Sequence, residues 1–224
     1  MNKIYNKEFI GLQKIYFRYL VGSFLTKISI FRLFQNIFVK KQSTRLKGTI
    51  IECGSSQHNN YKSYFSDYLD YKISNIDGDY DIYLDITDTK LESNSVDGLI
   101  LISVIEHVYD TKRAIKEIHR ILKPGGRAII TVPVMCSIHG NEDYWRINIQ
   151  GIEKLFKEFS IVHFSILGGI YSSIFNALQR PKGNLRKRFF INKILAIPFF
   201  VIGKLFDTYD DFPLGYGFVI EKNE

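Results

Sequence analysis

The residues able to do chemistry in this chain gather just after short apolar runs. Glu52, Cys53, Gly54 and Ser55 close the run that begins at Thr49. Asp77 follows Tyr71–Ile76, and Asp85 with Ile86 follows Asp81–Leu84. Ser103, Glu106 and His107 stand at and after the end of the run that begins at Gly98, and His139 comes a little beyond Arg127–Val132. A glycine in the first of these turns lets the backbone approach a ligand closely. An acid about 25 residues on, at the end of the next apolar run, is placed to accept hydrogen bonds from ribose hydroxyls. That logic suits a dinucleotide or any other adenosine-containing cofactor. His107 and His139 are the side chains that could take a proton from a reacting group near neutral pH. Each has a plainer competing reading, His107 at the mouth of a helix and His139 as a loop residue.

The elements that must hold these residues alternate in type. Thr49–Cys53, Tyr71–Ile76, Asp81–Leu84, Gly98–Ser103, Arg127–Val132, Ile161–Leu167 and Gly215–Glu221 read as strands. Tyr61–Leu69, Thr111–Leu122 and Ile149–Phe159 read as helices, with further helical segments over Tyr171–Leu178 and Arg186–Phe206. Asp110 is a good N-cap for the helix that buries Ala114, Ile115, Ile118, Ile121 and Leu122, and Lys123-Pro124-Gly125-Gly126 stops it. Alternation of this kind predicts an α/β fold: an open, mostly parallel sheet with helices on both faces. Ligands in such sheets bind at the carboxyl ends of the strands, where the strand order reverses.

At these positions the sequence resembles the class I S-adenosylmethionine-dependent methyltransferases, of the broad methyltransferase type 11 sort. The residues carrying the resemblance are Ile51-Glu52-Cys53-Gly54-Ser55-Ser56, Asn75-Ile76-Asp77, Leu84-Asp85-Ile86, Ser95-Val96-Asp97-Gly98-Leu99, Val104-Ile105-Glu106-His107-Val108 and Leu122-Lys123-Pro124-Gly125-Gly126. Their order fits over about residues 48–167, and Gly215–Glu221 would be the family's last, antiparallel strand. The resemblance implies a three-layer Rossmann-like sheet and S-adenosylmethionine as cofactor. Glu52, Cys53, Gly54 and Ser55 would line the methionine end, Asp77 would bind the ribose diol, Asp85 and Ile86 would contact adenine, and Ser103 would sit beside the methionine portion. The family's first loop usually reads acid-x-Gly-x-Gly-x-Gly. Here it reads Glu52-Cys53-Gly54-Ser55-Ser56-Gln57-His58, with the first glycine alone retained. The segment Ile138–Arg146 is similar to a subset in which Tyr-Trp-Arg follows the fifth strand and which often accompanies cell-surface polysaccharide genes. Tyr144, Trp145 and Arg146 would then form an acceptor wall. Trp145 and Arg146 could stack on and clamp a sugar-like or anionic acceptor, or the tryptophan could anchor its own loop.

Bulk properties limit the alternatives. At 224 residues and 46% hydrophobic, the chain is long enough for one domain with a sizeable core. Two cysteines, Cys53 and Cys136, make no disulfide framework, and no spacing resembles a metal site, which predicts reduced thiols and a cytoplasmic setting. The net charge of +7 is uneven: residues 1–47 hold ten Lys/Arg and one acid, Glu8. That segment reads as a basic amphipathic helical arm ahead of a methyltransferase domain over 48–224, with a helical insertion at about 170–212. Its stripe runs through Phe9, Leu12, Tyr16, Tyr19 or Leu20, Phe24, Ile28, Phe31 and Phe38. A second basic cluster runs from Arg180 to Lys193 beside apolar sequence. No signal peptide or membrane span is evident; the apolar run Ile194–Gly203 is about half the ~20 residues a span needs. The arm could cover the site, form a dimer contact or lie on an anionic membrane surface at the inner face. Two such elements point to contact with a membrane surface or a lipid-linked substrate, against the plainer reading that both pack on the sheet or on each other as a helical cover; a small-molecule or lipid-linked, saccharide-like acceptor methylated at oxygen is what the resemblance at Tyr144-Trp145-Arg146 implies. The rivals are a non-catalytic scaffold or membrane adaptor, motivated by the altered glycine loop, and an RNA methyltransferase, for which the basic arm comes without a nucleic-acid motif. The oligomeric state is not encoded in any of these features.

Overall fold

The computed structural model describes residues 7–11, 28–179, 189–207 and 212–223. Eight strands form one sheet: β1 (Lys7–Ile10), β2 (Thr49–Cys53), β3 (Asp70–Asn75), β4 (Ile82–Tyr83), β5 (Val96–Ile102), β6 (Leu122–Pro133), β7 (Phe159–Leu167) and β8 (Gly215–Lys222), in the order β1-β7-β8-β6-β5-β2-β3-β4. Every neighbouring pair is parallel except β8, which runs antiparallel to both β6 and β7. The chain moves outward from β2 through β3 to β4, then returns to place β5 on the other side of β2. That reversal opens a crevice at the carboxyl ends of β2 and β5. The sheet matches the expected α/β class, including the antiparallel last strand.

Among the described residues five helices cover it: α1 (Ile30–Gln42), α2 (Thr111–Ile121), α3 (Ile149–Leu155), α4 (Ile170–Gln179) and α5 (Phe189–Phe206). Side chains alternate across each strand, so one core forms on each face. Ile51, Leu99, Leu101 and Ile130 meet Ala114, Ile118 and Ile121 of α2 and Ile152 of α3. Ile50, Ile73, Ile100 and Ile129 meet Phe34 and Phe38 of α1, Phe175 of α4 and Phe200 of α5. Asp110 caps α2 as expected, its Oδ1 accepting from the Arg113 amide at 3.0 Å.

The way α1 docks is specific. Phe31, Phe34 and Phe38 lie on one helix face, and each meets a glycine. A Cβ on Gly215 would lie 2.4 Å from the Phe31 ring, one on Gly168 would lie 2.8 Å from Phe34, and one on Gly217 would lie 2.8 Å from Phe38. The rings fill the space that side chains on β8 and after β7 would take, so the helix sits close on the sheet.

Several expectations need correction. Residues 7–10 form the sheet-edge strand β1, parallel to β7, and not the start of an amphipathic helix. Alternation decides it, since Ile10 joins the α1 face and Phe9 the opposite one. Leu12, Tyr16, Tyr19, Leu20 and Phe24 of the expected stripe, and Arg180 to Arg188 of the second basic cluster, lie outside the described residues. Tyr61–Leu69 is not a helix and contains one 3-10 turn at Lys62–Tyr64. Its aromatic residues pair with one another and with Tyr71. Finally, β6 begins at Leu122 and takes in the Pro-Gly-Gly segment through a register shift, with Gly125 at φ +74°. The expected helix Ile149–Phe159 ends at Leu155.

Candidate active site

A cavity of about 480 Å³ opens at the carboxyl end of the sheet. It is lined by Ser29, the N-cap of α1, by Arg32 and Gln35 of that helix, by Asn60 and Tyr61 of the β2–β3 connection, and by Ser103 and His139. Its size lies within the roughly 300–1,000 Å³ of small-ligand sites. Ser103, immediately after β5, sits in the left-handed region, φ 56°, a strained state more common at functional positions. Its hydroxyl accepts from Gln35 Nε2 at 2.7 Å, and the same amide reaches Thr131 Oγ1 at 2.9 Å. The sequence reading gave Gln35 no role. A polar residue on the apolar side of α1, 3% exposed, was the available signal.

The first loop is built differently from the expected pattern. Gly54 adopts φ +70°, as the turn requires, and no α-helix follows. The Glu52 carboxylate, 1% exposed, accepts from Ser55 Oγ, from Tyr71 OH and, at 2.9 Å, from the Tyr61 amide. Burial pushes its pKa up, and these donors oppose the shift. Glu52 therefore holds the turn together and does not line the cavity. Cys53 is buried, and desolvation pushes its thiol up to about 12, so it is an inert packing group. Arg32 Nη1 donates to Tyr61 OH at 2.7 Å and ties α1 to this loop.

Asp77 is exposed in the loop after β3, and Ile86 is buried after β4. Asp85 Oδ1 accepts from the Thr87 amide and hydroxyl, both at 2.8 Å. None of the three lines the cavity described above. The Asp85–Leu91 loop is tethered to α2 by Glu117, which accepts from the Thr89 amide at 2.9 Å and hydroxyl at 2.7 Å. Arg120 hydrogen-bonds Glu117 and, with Thr89, draws its pKa from 4.5 to about 2. A folded pKa below the unfolded one contributes stability above the unfolded value, and that contribution fades as pH falls from about 4.5 toward 2. Glu117→Ala should cost about 2 kcal/mol at pH 7, the range for hydrogen bonds to a charged group. In urea titrations the difference from the parent should shrink as the pH approaches 2.

Beyond β5 and β6, two loops interlock. The Glu106 carbonyl accepts from the Tyr144 amide at 2.9 Å and the Trp145 amide at 3.3 Å. Trp145 Nε1 donates to the Val108 carbonyl at 2.9 Å, so the tryptophan anchors its loop while its ring stays partly open beside Tyr109 and Tyr144. Arg146 grips Asp143 through both terminal nitrogens, one contact at 2.6 Å. Its charge is paired within the loop. The structure also brings Glu106, His107 and His139 together. Glu106 is completely buried, and burial pushes its pKa up to about 7. Desolvation lowers that of His139. Spacing along the chain showed no ligand or acid–base set here because the two segments are far apart in sequence. Glu106 and His107 were legible together after β5, but not the approach of His139 to them.

Residues 67–130 match the family model of a methyltransferase domain. A Galdieria sulphuraria structure assigned as a sarcosine dimethylglycine methyltransferase aligns with a TM-score of 0.55 at 14% identity, over 86% of each chain. The fold is that of a class I methyltransferase. A Haemonchus contortus phosphoethanolamine N-methyltransferase in complex with S-adenosyl-L-methionine aligns at 0.53 and 19% identity over 85% of this chain, which spans about half (52%) of that one. A chain from the complex of the Haloferax volcanii Trm112 methyltransferase activator with its methyltransferase aligns at 0.55 and 11% identity, over 85% and 94%. Among proteins of curated function, none matches this sequence. S-adenosylmethionine is the cofactor of methyltransferase domains, and the cavity lies where it would bind, at the topological switch point, between the Tyr61 segment and Ser103 just after β5.

Proposed function

We propose that this methyltransferase domain transfers a methyl group from S-adenosylmethionine to an oxygen of a small or lipid-linked acceptor, with a saccharide as the first candidate. The observation that carries this reading is the cavity at the carboxyl end of β5, with Ser103 and His139 in its wall and Glu106 and His107 next to His139. The cofactor supplies an electrophilic methyl group on its sulfonium. Ser103 and the Gly54 turn would hold its methionine portion, Asp77 its ribose, and Asp85 with Ile86 its adenine. Proximity and alignment then supply most of the rate enhancement. The methyl carbon's bond to sulfur breaks as its bond to oxygen forms, and the acceptor's proton must leave. The cluster containing the two candidate bases, His107 and His139, is the group placed to manage that proton. Trp145 with Tyr109 and Tyr144 forms an aromatic ledge suited to the face of a sugar.

The lipid-linked part rests on α5. Leu195, Val201, Leu205 and Phe206 are each more than half exposed, at 55%, 56%, 70% and 55%. An apolar helix face of this kind suits the surface of an anionic membrane. No helix among the described residues is long and apolar enough to cross a membrane.

A second reading, a scaffold without catalysis, is favoured by one observation: Glu52 is consumed internally, in a loop that keeps one glycine. Calorimetric titration with S-adenosylmethionine and S-adenosylhomocysteine separates the two. Micromolar binding supports the enzyme and opens an acceptor screen beginning with sugars and lipid-linked saccharides; no binding by folded protein supports the scaffold. In the same titration Asp77→Ala should weaken S-adenosylmethionine roughly tenfold, the loss expected for charge-assisted bonds to a diol. Unchanged affinity would remove Asp77 from the ribose site.

A further inference from the structure

Glu106, His107 and His139 point electron-rich atoms at one another. Neither carboxylate oxygen of Glu106 has a hydrogen-bond partner of normal geometry, although the side chain is fully buried; the Ser103 hydroxyl is the donor close enough to favour its charge. A buried charged group without partners is strongly disfavoured. His107 Nδ1 is bonded to the Glu142 carbonyl. His139 Nδ1 faces the Ser137 carbonyl at 3.3 Å and the Asp143 carboxylate at 3.3 Å. Acceptors at both Nδ1 atoms place the ring proton there and leave a lone pair on each Nε2. Both Nε2 atoms lie 3.9 Å from the same oxygen, Glu106 Oε1. That is too long for a shared hydrogen bond. Anchoring the far nitrogen of an imidazole on a carbonyl or carboxylate is also how metal-binding histidines are oriented.

We propose that Glu106, His107 and His139 form a site for a divalent transition-metal ion at the edge of the cavity. The three ligand atoms lie within 4.8 Å of one another. Metal bonds of about 2.0–2.2 Å bring tetrahedral ligands to about 3.4 Å, so side-chain shifts of about 1 Å close the site. Two imidazoles and one carboxylate suit zinc, manganese, iron or cobalt better than magnesium or calcium, which favour all-oxygen shells. Three protein ligands leave open positions, and His139 also walls the cavity, so an acceptor oxygen can occupy one. This inference deepens the methyl-transfer reading and rests on it for its purpose. A metal-bound hydroxyl ionises more readily. Its proton passes to water, and the oxygen takes the methyl carbon as the carbon–sulfur bond breaks, yielding a methyl ether and S-adenosylhomocysteine.

The test is Co²⁺ titration of chelator-stripped full-length protein, followed by visible ligand-field absorption, with Zn²⁺ competition. The expected result is one Co²⁺ per chain, displaced by Zn²⁺. Affinity should fall by more than the roughly 10–100-fold typical of outer-shell changes in His107→Gln, His139→Gln and Glu106→Gln. Each variant's folding is checked by its thermal transition, and the parent titration stands without them. No ligand-field band in the parent, or equal Co²⁺ affinity in parent and folded variants, would overturn the site. S-adenosylhomocysteine titration of the same samples keeps the readings apart: metal binding without it removes methyl transfer and leaves the site, while the converse removes the site alone.

Discussion

Phe38→Ala should destabilise the folded chain by about 3–5 kcal/mol, the range for emptying a buried aromatic site. Phe38 is fully buried on α1, over the bare backbone of Gly217 and stacked on His163 with ring centroids 6.1 Å apart. No side chain from β8 can move in to fill the vacated volume, because glycine has none, so little of the cavity can relax away. Such a loss is a large share of the stability of a domain this size. Urea unfolding should show a lower midpoint with an unchanged slope. The complementary change, Gly217→Ala, inserts a Cβ 2.8 Å from the same ring and should also destabilise. A midpoint within error of the parent in both variants would mean that α1 is a detachable arm. A large drop makes it part of the domain and one wall of the cofactor cavity.

That prediction turns on what the sequence did not disclose. The charge count singled out residues 1–47 as something apart, and basic residues do crowd there. Charge reports the solvent face of an element, however, and is silent about the buried face. Phe31, Phe34 and Phe38 were visible as a stripe; Gly215 and Gly217 were visible as glycines. Their fit was not, because it joins residues about 180 positions apart. The sheet itself was legible because continuous apolar runs such as Leu99–Ile102, bounded by turn residues, fit few structures other than a covered parallel strand. The 7–10 strand was missed because four residues carry too little periodicity to separate a strand from a helix. The candidate site was half legible. Strand ends pointed to Ser103, which lines the cavity, whereas Asp77 and Asp85, named by the same rule, do not; the adjacency of His107 to Glu106 was explicit in the sequence. The convergence of His139 on that pair needed the Asp143–Arg146 pairing that shapes its own loop and the Glu106 carbonyl bridge that joins the two loops, a contact no spacing rule describes.

Glu52→Ala should show what the first loop depends on. The family resemblance casts Glu52 as a ligand for the methionine end of the cofactor, whereas the structure has its carboxylate joining Ser55, Tyr61 and Tyr71. Truncation leaves the Tyr61 amide and two hydroxyls without their acceptor in a buried setting. A buried unsatisfied donor costs about 1–3 kcal/mol, so a total of roughly 3 kcal/mol or more is expected even after partial rescue by water. The turn at Gly54 and the Tyr61 wall of the cavity would lose their common anchor, and S-adenosylmethionine affinity should fall on the order of 100-fold through lost preorganisation. Glu52→Gln keeps one good acceptor and the side chain's shape. It should cost about 1 kcal/mol in stability and leave most of the affinity. Calorimetry paired with urea unfolding distinguishes the roles. A direct ligand would lose affinity about equally in both variants while stability stayed near the parent's. An anchoring residue would lose stability and affinity together in Glu52→Ala and retain most of both in Glu52→Gln, which is the pattern a carboxylate consumed by its own loop must give.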